Sequence, residues 1–203
     1  MSIDRLRRFV ADMTSLVGGA WQDKDEAAIV DVGRKLLGEL VSHDDWLPEN
    51  AGKVPPHGYA QNLLWCDPFE RFCVVSFVWA PGAATPVHDH QMWGMVGMLR
   101  GSETSLRFAP DPETGALKPG VLTELKPGDV ELLLPAEGDI HQVTNALPDR
   151  GSISIHVYGG NIGAVRRSTF DVKTGQPKLF VSGYTNREQP NIWDRSVEVR
   201  AAS

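Results

Sequence analysis

From Trp46 onward the sequence is divided into short apolar or alternating runs, each of which ends near a glycine, a proline or an aspartate. The chain holds Gly 20 and Pro 14 in 203 residues, a larger share than is usual and typical of a protein with many tight turns. Many short strands at close spacing predict a sandwich or a barrel. The predicted strands are 62–65, 71–79, 85–90, 94–100, 102–109, 121–125, 129–134, 140–145, 152–158 and 178–182.

The residues before Trp46 have a helical pattern instead. Apolar residues recur at helical spacing in two stretches, of which the first ends at Gly18 and Gly19 and the second covers about 24–43. No repeat or second composition pattern is evident. We therefore expect a single domain over 1–203, with a helical segment at 1–46 and a β-barrel at about 59–183.

Charge and composition argue against several function classes. Lys+Arg 20 against Asp+Glu 26 gives a formal net charge of −6, whereas a general nucleic-acid binder needs a basic patch. No apolar run is long enough to predict a membrane span, and the N-terminus lacks the apolar core of a signal peptide, so we expect a cytoplasmic protein. Cys66 and Cys73 lie outside any C-x-x-C pattern, which argues against a disulfide framework or a zinc ribbon.

His88 and His90 form an H-x-H pair within the predicted strand 85–90. On a strand, this spacing points both imidazoles to one face and Asp89 to the other. Two imidazole nitrogens on one strand suit a divalent metal. By itself the pair is a weak signal, because two surface or core histidines would have the same spacing.

The residues around this pair resemble the two-part motif of the cupin superfamily. The first part is matched by Gly82, His88, His90 and Gly101, and the second by Gly128, Pro135, Gly138, His141 and Asn145, with one extra residue on each side of Pro135. The resemblance implies an all-β cupin core, a double-stranded β-helix or jelly-roll barrel, with a metal at its mouth and the helical segment N-terminal to it. The usual glutamate ligand falls at Gly94, so the implied ligands are His88, His90 and His141.

A site with three neutral histidines leaves room for an anionic substrate donor. A thiolate is a suitable ligand for Fe(II) and would supply the missing negative charge. Zinc with three histidines and a water, which serves hydration or hydrolysis, is the competing chemistry. The ligand types alone do not distinguish iron from zinc.

The segment 152–158 alternates strictly, with Ser154, His156 and Tyr158 on one face and aliphatic residues on the other. One interpretation is a solvated polar face over an apolar core. The other is a hydrogen-bonded row from Ser154 through His156 to Tyr158 that is directed into the barrel mouth. The row is not a serine-hydrolase triad, because no carboxylate orients the histidine.

With this row the sequence resembles the thiol dioxygenases, cupins that include type I cysteine dioxygenase. The resemblance runs from about Tyr59 to Arg167 and implies mononuclear Fe(II) on three histidines with a Ser-x-His-x-Tyr strand in the outer shell. Animal-type enzymes crosslink a cysteine to the active-site tyrosine, but the matching residue here is Gly94. They also bind the substrate carboxylate with an arginine, which is Gln61 here.

Another arginine, Arg167, is similar in position to the carboxylate-binding arginine of bacterial 3-mercaptopropionate dioxygenases. The residues thus favour that branch, with Gln61 assisting Arg167. The alternative for Arg166 and Arg167 is a solvated basic turn, and the sequence does not decide which of the two faces the pocket.

We therefore expect an iron-dependent thiol dioxygenase whose partners are a small thiol carboxylate, most simply 3-mercaptopropionate, and O2, with a sulfinic acid as product. Tyr158, oriented by His156 and Ser154, would hydrogen-bond substrate or oxygen. The alternatives are a cysteine dioxygenase, a zinc or nickel cupin acting as isomerase or hydrolase, and a non-catalytic binding cupin. The physiological thiol and the oligomeric state stay open.

Overall fold

The computed structural model describes residues 3–20, 26–194 and 200–201. Two helices lead the chain, α1 over Asp4–Ala20 and α2 over Glu26–Val41, and they pack against each other. The second helix ends at Val41 rather than at the predicted residue 43, while its predicted start at residue 24 lies outside the described residues. Within the described part of the chain, no helix is both long and apolar enough to cross a membrane.

In the described residues that follow the helices there are ten strands, together with short 3₁₀ turns at Glu49–Ala51 and Pro135–Glu137. In chain order the strands are β1 Tyr59–Cys66, β2 Cys73–Trp79, β3 Gly94–Arg100, β4 Glu103–Pro110, β5 Leu117–Leu125, β6 Val130–Leu133, β7 His141–Asn145, β8 Ser152–Tyr158, β9 Arg167–Phe170 and β10 Pro177–Phe180.

The strands form two antiparallel layers. One is a five-stranded sheet in the order β1-β2-β8-β3-β6. The other contains the three-stranded sheet β5-β4-β7 and the two-stranded sheet β10-β9, which are joined because His88 forms bridges with both His141 in β7 and Thr169 in β9. Two such layers, built from strands distant in sequence, are the double-stranded β-helix of the cupin fold, as predicted.

The five-stranded sheet is buried on both faces, because the helices cover its outer side. Ile153, Ile155 and Val157 of β8 belong to the same apolar cluster as the buried residues of α1 and α2. The other face of β8 points into the barrel, where its register partners on β2 include Val75 and Phe77. The interior of the barrel therefore receives the polar row of β8.

One strand prediction is wrong and one strand was not predicted, and both concern the site. Residues 85–90 do not form a regular strand, since His88 alone among them makes isolated bridges, while the preceding Ala84 bridges to Thr144. The segment is held by its neighbours on both sides instead of by a continuous ladder. Conversely, β9 was not among the predicted strands, because its four residues, Arg167–Phe170, have no apolar alternation.

Candidate metal centre

Three histidines converge inside the barrel. His88, His90 and His141 each offer one ligand atom, and these atoms all lie within 4.8 Å of one another. The backbones of His88 and His141 exchange two hydrogen bonds of 3.0 Å, which fixes the segment 85–90 beside β7. After His90 the chain turns sharply through Gln91, whose φ of 63° is unusual for a residue with a side chain.

Each of these histidines is oriented through its Nδ1 atom. His88 Nδ1 is 3.0 Å from the Pro86 carbonyl oxygen, and His90 Nδ1 is 3.2 Å from Asp139 Oδ2. His141 Nδ1 is 3.0 Å from Ser105 Oγ. An Nδ1–H that donates to an oxygen leaves Nε2 with a free lone pair, which is the tautomer that a metal ligand needs.

The Nε2 atom of His90 is buried and has no hydrogen-bond partner among the described residues. A buried polar atom without a partner is costly, and a metal ion at the centre of the cluster would satisfy it. Burial, followed by the charge of Arg167, lowers the pKa of His88 to about 4. Burial also holds the pKa values of His90 and His141 well below the usual range, so the cluster is neutral and positioned to bind a metal ion.

A chain of hydrogen bonds holds His141 at its Nδ1 atom, on the side of the ring opposite its free Nε2. With Nδ1–H of His141 donating to Ser105 Oγ, the Ser105 hydroxyl donates to Glu131 Oε1 at 3.1 Å. Arg107 donates to the carbonyl oxygen of Leu132 at 2.6 Å and holds this edge of β6. Sequence reasoning missed Ser105 and Glu131, because nothing in their local sequence connects them with His141. Asp139 lies two residues before His141, a spacing that could have indicated it.

The polar row of β8 is buried and hydrogen-bonded, so a solvated polar face is excluded. Ser154 Oγ and His156 Nε2 are 2.9 Å apart, and His156 Nδ1 and the Tyr158 hydroxyl are 2.8 Å apart. Trp79 Nε1 donates to Ser154 Oγ at 3.3 Å. The Tyr158 ring stacks on His90 with ring centroids 5.6 Å apart, which places the end of the row beside the histidine cluster.

A cavity of about 290 Å³ opens beside the cluster. Its walls are Tyr59, Gln61, Phe77, Thr85, Pro86, His88, Arg167, Thr169, Lys178 and Phe180. It therefore brings one histidine of the cluster together with both residues that the sequence suggested for substrate binding.

Arg167 is only 4% exposed, whereas Arg166 is exposed. A solvated basic turn is therefore excluded for Arg167. Its guanidinium carbon lies 4.7 Å from the centroid of the Phe180 ring. Its buried Nε atom has no hydrogen-bond partner among the described residues. A buried guanidinium with a free donor beside a cavity is suited to an anion.

Gln61 contributes to this cavity in a different way. Its Nε2 donates to Ser182 Oγ at 3.2 Å and to the Gly183 carbonyl oxygen at 3.1 Å. The side-chain amide thus holds the loop after β10 against β1. Its amide donors point toward that loop, so any direct contact with a substrate would use its carbonyl oxygen.

Gly94 faces the ring of Tyr158, the last residue of the polar row of β8. A Cβ at this position would lie 3.1 Å from Tyr158 Cδ1 and 3.5 Å from Leu133 Cβ. The first distance is shorter than an ordinary van der Waals contact, so a side chain at this position would push against the Tyr158 ring, and glycine avoids this contact. Nothing at this position can coordinate a metal or crosslink to Tyr158.

The sequence matches no known protein-family profile. Among solved structures, the chain is similar to a conserved protein with a double-stranded β-helix domain from Klebsiella pneumoniae, with 16% identity over 66% of this chain and 87% of that chain and a TM-score of 0.44. An RmlC-like cupin protein from Desulfovibrio desulfuricans has 18% identity over 58% of this chain and 95% of that chain, with a TM-score of 0.40.

An oxalate oxidase in complex with the substrate analogue glycolate has 14% identity over 68% of this chain and 64% of that chain, with a TM-score of 0.43. These are likenesses of fold, and some cupins of this kind are enzymes. The assignment of the fold rests on the strand pairing, and that of the metal centre on the geometry of the histidines.

Proposed function

We propose that this protein is a non-haem Fe(II) thiol dioxygenase whose substrate is a small thiol carboxylic acid, with 3-mercaptopropionate the best candidate. The observation that carries the proposal is the cavity shared by His88 of the metal centre and the buried Arg167. The same cavity would thus offer a place for a thiolate at the metal centre and a place for a carboxylate at Arg167. The product would be the sulfinic acid, formed when both atoms of O2 add to the sulfur.

His88, His90 and His141 would hold the iron. An Fe(II) ion bound there would supply the redox chemistry that lets dioxygen react with a thiolate. Because the three ligands are neutral, the negative charge of the substrate would be matched by the metal and by Arg167. This donor set, with the unpartnered Nε2 of His90, fits a divalent ion.

Arg167 would fix the other end of the substrate. Its free Nε donor and its burial favour a carboxylate, because a charge-assisted hydrogen bond is strengthened away from water. The rings of Tyr59, Phe77 and Phe180 supply apolar walls that exclude water around the hydrocarbon part. A short, unbranched substrate is thereby held between the arginine and the metal centre.

Tyr158 would act on the reacting end. Burial raises the pKa of its hydroxyl, so the group stays protonated at neutral pH and remains a hydrogen-bond donor. The stacking of its ring on His90 places it beside the metal centre. His156 and Ser154 would hold this hydroxyl in position.

Charges in the cavity favour 3-mercaptopropionate over L-cysteine. Two basic residues, Arg167 and Lys178, line it, and none of the described residues in its walls is acidic. The α-ammonium group of cysteine would therefore meet positive charge and no carboxylate. A thiol carboxylate without an amino group avoids this cost.

Oxygen uptake by protein loaded anaerobically with Fe(II) tests the proposal. We expect uptake with 3-mercaptopropionate, slower uptake with L-cysteine, and weak uptake with a thiol that has no carboxylate. Arg167→Met should lower kcat/KM for 3-mercaptopropionate about 100-fold or more, as when one partner of a buried charge pair is removed. The neighbouring exposed Arg166→Met is the matched control and should retain activity.

Failure of every thiol to stimulate oxygen uptake would refute the proposal. Metal analysis of protein purified without added metal separates this outcome from the zinc or nickel alternative. A binding cupin would retain its function in His141→Ala, whereas the dioxygenase should lose both iron and activity. Equal losses in the Arg166 and Arg167 variants would remove the assigned role of Arg167.

A further inference from the structure

Glu131 of β6 is a buried carboxyl that has no part in the function proposed above. It is 8% exposed, and its register partner on the five-stranded sheet is Val96 of β3. Its neighbours Val130 and Leu132 pack against the apolar cluster of the helices, so Glu131 lies on the other face of β6, which points into the barrel. A buried carboxyl is costly unless it is hydrogen-bonded, so its partners indicate what it does.

Two side chains of β4 hold one carboxyl oxygen of Glu131. Ser105 Oγ donates to Oε1 at 3.1 Å, and Arg107 Nη2 donates to the same atom at 3.5 Å. The other oxygen, Oε2, has no hydrogen-bond partner among the described residues. Burial raises the pKa of Glu131, whereas the hydrogen bond from Ser105 and the charge of Arg107 lower it. Both partners thus favour the ionised carboxylate, which accepts hydrogen bonds and has none to donate.

Ser105 connects this carboxylate with the metal centre. Its hydroxyl oxygen, which donates to Glu131, also lies 3.0 Å from Nδ1 of His141. Ser105 is fully buried, and the pairing of β4 with β7 holds it beside His141. The connection crosses the barrel, because Glu131 belongs to the five-stranded sheet, whereas Ser105 and His141 belong to the three-stranded sheet.

The Nδ1 partner of His141 differs in kind from those of the other two ligands. Nδ1 of His88 faces a carbonyl oxygen and Nδ1 of His90 faces a carboxylate oxygen, and both groups only accept. These two imidazoles therefore carry their hydrogen on Nδ1. A hydroxyl either accepts from Nδ1 or donates to it, so Ser105 alone does not fix the tautomer of His141. If the hydroxyl donated, Nε2 of His141 would carry the hydrogen and would have no lone pair for a metal ion.

We propose that Glu131 is a positioning residue for the metal centre, because it accepts the single hydroxyl hydrogen of Ser105 and so leaves the serine oxygen as an acceptor for His141. The hydrogen of His141 is thereby kept on Nδ1, and the lone pair of Nε2 is available to a metal ion. Glu131 acts through Ser105 and has no contact with substrate to make. The inference concerns metal binding, so it does not depend on the thiol oxidation proposed above.

The tautomer of His141 in metal-free protein is the first readout. With ¹⁵N-labelled histidine at neutral pH, the ring shifts distinguish a hydrogen on Nδ1 from one on Nε2. We expect the Nδ1–H tautomer in the wild type and a measurable share of the Nε2–H tautomer in Glu131→Leu, where the Ser105 hydroxyl is free to donate to His141. An Nε2–H tautomer in the wild-type protein would overturn the inference even if the variant does not fold, and so would an unchanged tautomer in folded Glu131→Leu.

The affinity for Co²⁺, measured by titration of the metal-free protein, is the second readout. Glu131→Leu and Ser105→Ala should each lower this affinity about 10–100-fold, as is usual for partners of metal-binding histidines. Because Glu131 acts through Ser105, the double variant should bind Co²⁺ about as tightly as Ser105→Ala alone. Losses that multiply in the double variant would show that the two residues act independently and would overturn the inference.

Glu103→Leu is the matched control. Glu103, the first residue of β4, is a second buried carboxyl, and Ser152 Oγ donates to its Oε1 at 3.0 Å. Among the described residues, no hydrogen bond joins either of these two side chains to a histidine of the metal centre. Glu103→Leu should therefore retain the wild-type Co²⁺ affinity and the Nδ1–H tautomer of His141. Equal losses of affinity in Glu103→Leu and Glu131→Leu would contradict the role given to Glu131.

Discussion

At the scale of single residues, the metal centre depends on side chains that hold the histidines as much as on the histidines. Asp139 Oδ2 accepts hydrogen bonds from both the backbone N and the Nδ1 of His90, at 2.8 and 3.2 Å. One carboxylate oxygen thus fixes the position and the tautomer of the same ligand. Such partners normally affect metal affinity without touching the metal.

Removing the negative charge of Asp139 should weaken metal binding. We expect Asp139→Asn to lower the affinity for Fe(II) or a stand-in divalent ion about 10–100-fold, since the amide is a poorer acceptor for the imidazole N–H. Asp149→Asn, at an exposed position, should bind as the wild type does. Competition with a chromophoric chelator measures both affinities, and equal affinities would contradict the role given to Asp139.

At the scale of elements, the two faces of the five-stranded sheet have different surroundings. Its outer face packs on α1 and α2, while its inner face carries the polar row of β8. Gly97 of β3 permits the close approach of α2, because a Cβ there would lie 2.9 Å from Leu37 Cγ and from Val41 Cγ1. The helix and the sheet therefore determine each other's position.

Two glycine variants test this contact. Gly97→Ala should lower the free energy of unfolding by about 1–3 kcal/mol, because the methyl group overpacks a tight interface. Gly38→Ala within α2 would place its Cβ 3.8 Å from Val130 Cγ2, an ordinary contact, and should raise the free energy of unfolding by about 0.5–1 kcal/mol through helix propensity. Urea unfolding measures both, and identical midpoints would contradict this interpretation.

Sequence reasoning found those residues of the site that a short stretch of sequence identifies by spacing or alternation. The spacing of His88, His90 and His141 and the alternation of β8 were enough to bring six of the site's side chains into consideration. The alternation could not show that the polar face lies inside the barrel, because the helices that cover the other face are distant in sequence. The support of His90 by Asp139 was not inferred, although its spacing to His141 offered a signal.

Other parts of the site had no local signal at all. Ser105 reaches the site only because β4 pairs with β7, which places its hydroxyl beside His141. Arg167 was identified by resemblance, but its burial follows from the pairing of β9 with β10 and with the segment of His88. Contacts between strands far apart in the chain decide these positions, and composition and periodicity do not record such contacts.

At the scale of the whole molecule, the barrel interior keeps ionisable groups neutral, which links stability to pH. Burial lowers the pKa of His156 from 6.5 to about 3. Below pH 6.5 the unfolded chain therefore binds a proton that the folded protein does not, and the free energy of unfolding falls as the pH falls. Above pH 6.5, His156 is neutral in both the folded and the unfolded protein and does not lower the free energy of unfolding. Between pH 6.5 and pH 3 the free energy of unfolding falls progressively as the unfolded chain takes up this proton.

His156→Gln should make the metal-free protein less sensitive to acid. Each pH unit below the unfolded pKa corresponds to about 1.4 kcal/mol per such histidine, so the variant's stability curve between pH 6 and pH 4.5 should be shallower than that of the wild type. His57→Gln, at an exposed loop position, should retain the wild-type slope. Equal slopes in His156→Gln and the wild type, measured by urea unfolding, would contradict the assignment of a buried neutral His156.

The central claim is that the barrel joins one metal centre to one thiol carboxylate and transfers both oxygen atoms of O2 to sulfur. The most direct measurement is mass spectrometry of the product formed from 3-mercaptopropionate by the iron-loaded protein under ¹⁸O₂. The account predicts a sulfinic acid in which both sulfinate oxygens carry the label. A product with one labelled oxygen, a disulfide, or no product at all would contradict it.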